Sequence, residues 1–276
     1  LARAAREQGL VDEVVGSGRN AEQLTRAVEL GVIDRFDTDP AKAVAGADGV
    51  VVAAPVGAME RLFGDIAQAL APDAVLTDVG SVKGSVVQAA SRAFGELPPN
   101  FVPGHPIAGT EKSGVEAAFG SLFQGRCTIL TPSDHTRSEA VDRVRRLWEG
   151  VGSQVVTMSV RHHDEVLAAT SHLPHMLAFA LVDTLARMEE SREIFRFAAG
   201  GFRDFTRIAS SDPVMWRDIC LTNSEALLAT IDRFQDDLGN LAEAIRMADA
   251  DAIKAVFERA KAARDRFTQQ NDDKAP

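Results

Sequence analysis

Apolar positions in the first half of the chain fall into short β-branched runs separated by stretches with helical spacing. Residues 13–16, 49–54, 74–78, 100–103 and 127–131 read as strands. Between them, residues 21–30, 39–45 and 59–70 carry the period of amphipathic helices, and Asp39-Pro40 supplies an N-cap with proline at the first helical position. A helix over 138–150 and a short strand over 154–157 close this half. Strands alternating with helices predict a parallel α/β sheet covered by helices. From Val160 onward only helical periodicity continues, so a boundary is expected near Ser159, with an α/β domain over 1–158 and an all-helical domain over 159–276. The stripes Leu177, Leu181, Leu185 and Leu227, Leu228, Ile231 read as core, part of which is expected to form a subunit interface. Residues 269–276 read as a polar, frayed tail.

Composition narrows the class. With 276 residues, 45% hydrophobic and 25% charged, the chain supports one large or two ordinary domains with real cores. A net charge of −10 argues against nucleic-acid or anionic-membrane partners, so an anionic substrate needs arginines of its own. Cys127 and Cys220 are the only cysteines, far apart, which points to a reducing cytoplasm and gives no metal-knuckle spacing. No run is expected to reach the ~20 apolar residues of a membrane span, and the start lacks the order of a signal peptide.

A dinucleotide-binding domain of this kind opens with a strand and a Gly-x-Gly-x-x-Gly turn. The given chain opens instead on residues 1–9, which read as the helix that follows such a turn; the first strand and the glycine-rich loop are absent from it. At the end of the next strand, Val15-Gly16-Ser17-Gly18-Arg19-Asn20 has Gly18 about where an acid that reads the ribose of NAD is expected. Arg19 with Ser17 suits a 2′-phosphate, which favours NADP over NAD, although Arg19 also reads as an ordinary solvated loop residue.

Candidate chemistry gathers in four segments. Gly104-His105-Pro106-Ile107-Ala108-Gly109-Thr110-Glu111-Lys112-Ser113-Gly114 reads as a loop after a strand, facing the ligand crevice, and His105 there suits the abstraction of a hydroxyl proton. In Asp78-Val79-Gly80-Ser81-Val82-Lys83-Gly84, Ser81 is placed to bond substrate or His105; for Lys83 a turn role and a functional role stand level. His172 and His175, three apart and flanking Pro174, share a helical face; with no carboxylate or cysteine at ligand spacing, a metal is rejected. The proline is expected to kink the helix. Arg207, amid apolar neighbours in 200–216, reads as a buried cation awaiting a substrate carboxylate, or as an ion-pair partner of Asp204 or Asp212.

Together these four segments resemble the motif set of prephenate and arogenate dehydrogenases, over essentially the whole chain and in the same order. The resemblance implies a Rossmann domain followed by a helical substrate and dimerisation domain, with the active site in a cleft between them. It implies oxidative decarboxylation of prephenate or arogenate with hydride transfer to NAD(P) in tyrosine biosynthesis, in a homodimer. By it, His105 is the catalytic histidine, assisted by Ser81. Arg207 binds a substrate carboxylate, and His172 and His175 line the pocket. Glu111, with Thr110 beside it, gates or tunes that pocket, and Ala54-Pro55-Val56 pass close to the cofactor. The missing glycine loop is the main departure from the family pattern. Other readings are a related 3-hydroxyacid dehydrogenase or imine reductase, for which a lysine donor is usual on the helix that here offers histidines, and a catalytically silent dimeric ligand-binding protein.

Overall fold

The computed structural model describes residues 1–109 and 114–272, with side chains through residue 269. Its first half is a set of parallel strands and covering helices. Helix α1 (Ala2–Glu7) leads to β1 (Val15–Ser17), and α2 (Ala21–Glu29) connects this strand to β2 (Arg35–Asp37), its parallel partner. Asn20 begins α2, its side chain accepting from the amides of Glu22 and Gln23 at 3.0 and 3.1 Å. Helix α3 (Pro40–Val44) starts as the sequence indicates, with Asp39 accepting from the Ala41 amide at 3.0 Å.

A second parallel sheet has the order β3 (Gly49–Val52), β4 (Val75–Asp78), β5 (Phe101–Val102), linked through α4 (Met59–Ile66) and α5 (Lys83–Phe94). Every residue of β4 is buried. Its side chains alternate: Leu76 packs with Met59, Phe63 and Val86 on one face, and Val75 with Leu130, Val144 and Trp148 on the other. Asp78 at its end is therefore carried into an interior covered on both sides.

The third sheet joins β6 (Gly104–Pro106) antiparallel to β7 (Cys127–Leu130), which pairs in parallel with β8 (Gln154–Thr157) after α6 (Ser138–Gly150). Strands β2 and β6 were not expected. Two of the three residues of β2 are charged, and β6 combines glycine and proline, which ordinarily break strands. Pro106 is tolerated because β6 pairs only with β7, on one edge. His105 thus sits in a strand, opposite Ile129, and not in the loop the sequence implied.

Helix α7 (Val160–Leu167) begins at Ser159, whose hydroxyl accepts from the His162 amide at 3.2 Å. It passes through a single widened π-type turn, Ala168–His172, into α8 (Leu173–Ala186). Pro174 has no N–H to offer the preceding turn, and a one-residue register shift in this turn absorbs the mismatch. The joined helix Val160–Ala186 corrects another expectation, for its most apolar window has mean hydropathy 1.2, long and apolar enough to cross a bilayer by length and composition. It also bears His163, Asp164 and His172, whose bonds tie it to other elements of the fold.

Further helices are α9 (Ser191–Arg196), α10 (Gly200–Thr206) and α11 (Pro213–Thr222), the last begun by Asp212, which accepts from the Met215 amide at 2.8 Å. Trp216 and Ile219 of α11 pack on Val82 at the entrance to α5. Among the described residues no strand follows β8. The chain divides into two compact units, 1–227 and 228–276. The second unit holds most of α12 (Ser224–Arg246) and all of the described part of α13 (Ala250–Asp272). Within it Leu228, Leu238, Ile245, Met247, Phe257 and Phe267 are exposed, whereas Leu227, ending the first unit, is buried.

Candidate active site

The site is built from the ends of β4 and β6 and from α7. Val82, at the N-cap of α5, has no side-chain acceptor for the orphan amides of that helix. Asp164 of α7 supplies both: its Oδ1 accepts from the Lys83 amide and its Oδ2 from the Gly84 amide, each at 2.8 Å. Beside it, His163 is fully buried, with Nδ1 2.7 Å from Asp164 Oδ1 and Nε2 2.9 Å from His105 Nδ1.

Carboxylate oxygens only accept, so the proton of His163 resides on Nδ1 and its Nε2 is a lone-pair acceptor. His105 therefore donates through Nδ1, which leaves its Nε2 as the acceptor nitrogen of the ring. Burial holds the His105 pKa well below 6.5, and the nearby Lys83, His163 and His172 push it the same way. The result is a neutral imidazole with a defined basic nitrogen, suited to take a proton from a hydroxyl.

Beneath it lies a wholly buried ion pair between Lys83 and Asp78. Lys83 Nζ also donates to the Gly104 carbonyl at 2.6 Å, and Asp78 accepts from the Gly80 and Gly104 amides at 2.7 and 3.1 Å. Burial lowers the Lys83 pKa, opposed by the charges of Asp78 and Asp164.

His172 is also buried. Asn223 Nδ2 donates to the Asp164 carbonyl at 2.9 Å, which fixes the amide's orientation, and its second proton goes to His172 Nδ1 at 3.0 Å. His172 consequently carries its proton on Nε2, a buried donor with no acceptor among the described residues. Burial brings its pKa down to about 4, so the ring is neutral near pH 7. His175 stacks on Trp216 at 3.7 Å between centroids and donates through Nδ1 to the Ser171 carbonyl at 2.9 Å. Burial and the Arg207 charge lower its pKa against that hydrogen bond.

Two sequence expectations change here. Arg207 is exposed, at the start of a short 3-10 turn (Arg207–Ser210) after α10, so the argument from a buried cation fails. Its charge nevertheless reaches His175. Ser81 is half-buried, and His105 Nδ1 is bonded to His163 and not to Ser81. Thr110 and Glu111 lie outside the described residues. Sequence reasoning missed His163, Asp164 and Asn223; a His-Asp pair one turn into the first helix after Ser159 was the available signal for two of them, while nothing local marks Asn223.

The residues present fit a dinucleotide. Gly18, Arg19, Asn20, Gln23 and Leu24 line a shallow cleft beyond the end of β1. Arg19 is exposed there, while Asn20 is committed to capping α2. Ala54, Pro55 and Val56 follow β3, and Gly80 and Ser81 follow β4, at the carboxyl ends where an open α/β sheet receives its ligand. Among the described residues no three metal-ligating side chains come together.

A Rossmann-type sheet that opens beside a neutral, tautomer-fixed histidine defines an NAD(P)-dependent oxidoreductase acting on a carbon that bears a hydroxyl. The family model for the nucleotide-binding domain of prephenate dehydrogenase matches residues 1–157, and that for its dimerization domain matches 159–259. The chain belongs to the prephenate dehydrogenase family. It is 42% identical to a cyclohexadienyl dehydrogenase of Zymomonas mobilis over 242 residues, 87% of this chain and 81% of that one. To a prephenate dehydrogenase of Bacillus subtilis it is 38% identical, over 91% of this chain and 68% of the relative. Its fold superposes on the crystal structure of A. aeolicus prephenate dehydrogenase in complex with hydroxyphenyl propionate and NAD+, with a TM-score of 0.90 and 40% identity, covering 96% of this chain and 93% of the other.

Proposed function

We propose that the protein oxidatively decarboxylates prephenate to 4-hydroxyphenylpyruvate, arogenate to tyrosine, or both, with NADP preferred over NAD, as a homodimer. The observation that carries the reaction is the chain Asp164–His163–His105, which leaves His105 Nε2 as a base in a buried, neutral ring. The bound nicotinamide supplies the hydride acceptor. His105 Nε2 takes the proton of the ring hydroxyl as the hydride leaves the same carbon. Loss of carbon dioxide then leaves its electron pair in the ring, which becomes an aromatic phenolate, and His105 returns the proton to that oxygen. Aromatisation drives the sequence, so the residues need only position the substrate, move one proton and pair its carboxylates.

Ser81 bonds the same hydroxyl. Arg207, exposed beside His175, receives a substrate carboxylate, and His172 and His175 line the pocket. The dinucleotide-binding domain spans 1–158 and the substrate and dimerisation domain 159–276, a division supported by the two family matches. The exposed apolar residues of the second unit support a subunit contact.

The test is nicotinamide reduction by the intact protein, followed by absorbance, with each substrate paired with each cofactor. Turnover with prephenate or arogenate is expected; none with any pairing sinks the assignment in favour of a silent binding protein. Cofactor preference has its own test. A guanidinium on a phosphate is a charge-assisted contact of about 1.5–3 kcal/mol, so Arg19→Ala is expected to lower the NADP-to-NAD ratio of kcat/KM by about 10- to 100-fold. An unchanged ratio makes Arg19 a solvated loop residue.

A further inference from the structure

Asp78 and Lys83 form a wholly buried ion pair, with both side chains at 0% exposure. Such a pair is a poor device for stability, since desolvating two charges offsets most of their attraction and apolar replacements are often neutral. Its remaining bonds show what it holds. Asp78 takes the Gly80 and Gly104 amides, and Lys83 takes the Gly104 carbonyl. Gly80 precedes Ser81, and Gly104 precedes His105.

The backbone is shaped to admit these contacts. A Cβ on Gly104 would stand 3.0 Å from the Asp78 carbonyl oxygen, and one on Gly80 3.0 Å from Asp78 Oδ2 and 2.8 Å from Met59 Cε. Glycine at both positions lets the two strand ends close on the pair. Both polar backbone groups of the residue before the base are thus anchored to one ion pair, which also anchors the turn leading to Ser81.

We propose that Asp78 and Lys83 are positioning residues for the reaction: the pair locks the β4–α5 turn bearing Ser81 to the strand bearing His105, and keeps a fixed cation beside the base. The proposal rests on the reading of His105 as that base. The charged and titratable groups around His105, among the described residues, are Lys83 and Asp78 from the β4–α5 side, His163 and Asp164 from α7, and His172 from the widened turn; β7 presents no charged side chain. Asp78 is engaged by Lys83 and Asp164 by His163. After burial, the Lys83 charge is the foremost influence keeping His105 neutral.

The experiment is the pH profile of kcat/KM in the intact enzyme for Lys83→Met and for the double variant Asp78→Asn/Lys83→Met, which removes both charges and so leaves no unpaired one if the single variant fails to fold. In Lys83→Met, with the cation gone, the acid limb is expected to move up towards the ordinary histidine value. The double variant removes adjacent opposite charges together, so its limb moves less, and both variants show a fall in kcat with less change in KM. An acid limb that stays in place in folded Lys83→Met, or an unchanged kcat in the folded double variant, whatever the thermal stability, overturns the proposal and leaves the pair structural. His105→Asn separates the two readings: if that variant retains turnover, the assignment of the base fails instead.

Discussion

Replacing His105 with asparagine is expected to lower kcat by about 10²–10⁴-fold, the range general bases contribute, while KM for the substrate changes far less. Asparagine keeps a polar group next to His163, but neither its amide nitrogen nor its oxygen can accept a proton from a hydroxyl as hydride departs. The loss therefore falls on a step made only in the transition state. The same assignment fixes a pH dependence. The folded-state pKa of His105 is depressed, so its active neutral form persists below 6.5 and activity is lost only as pH falls through that lower value. Steady-state kinetics of the wild type should show kcat/KM flat through pH 6.5, with its acid limb well below. A limb at or above 6.5 would mean that His105 is solvated, or that another group is the base.

Much of this fold is legible in the sequence because its central strands are covered on both faces. Residues 74–78 and 127–131, rich in apolar and β-branched residues, contain the central strands β4 and β7 for that reason, and the apolar run 49–54 contains β3 at the edge of its sheet. The helix over 138–150 emerges with the same bounds, since its apolar face, including Val144 and Trp148, is set at helical spacing. Strands β2 and β6 were hidden because each is three residues long and owes its pairing to a partner distant in sequence. For β6 this matters to function: the pairing of His105 with Ile129 turns a supposed loop residue into a strand residue held by β7.

The site was legible where glycines, histidines and charges cluster, and illegible where its parts meet only through tertiary structure. Lys83 looked as much a turn residue as a functional one, because a sequence does not show that its ammonium is buried on Asp78. Arg207 misled in the opposite sense: apolar neighbours in sequence do not bury a guanidinium at the end of a short helix. Asn223 lies 51 residues from His172, and no local pattern announces that its amide sets the tautomer of that ring.

The capping of α5 by Asp164 leads to the second large effect. Asp164→Ala removes the acceptors of the Lys83 and Gly84 amides and of His163 Nδ1 at once. Loss of a cap costs about 0.5–2 kcal/mol, and a buried donor left unsatisfied about 1–3 kcal/mol, so a clear drop in Tm is expected. The kinetic effect follows from the tautomer. Without Asp164 nothing keeps the His163 proton on Nδ1; once it moves to Nε2, that nitrogen donates to His105 Nδ1, and the His105 proton is forced onto the nitrogen that should receive the substrate's. A penalty of about 1–3 kcal/mol for restoring the active arrangement corresponds to a fall in kcat of about 5- to 150-fold. Asp164→Asn separates the two roles, because an amide can keep its oxygen at the Oδ1 position, serving the Lys83 amide and His163 Nδ1, and turn its nitrogen to Gly84. That variant should lose stability through the Gly84 contact yet retain most of its kcat. Equal losses of kcat in the alanine and asparagine variants would show that Asp164 acts on the reaction only by holding α5 in place, and would remove His163 from the account of the base.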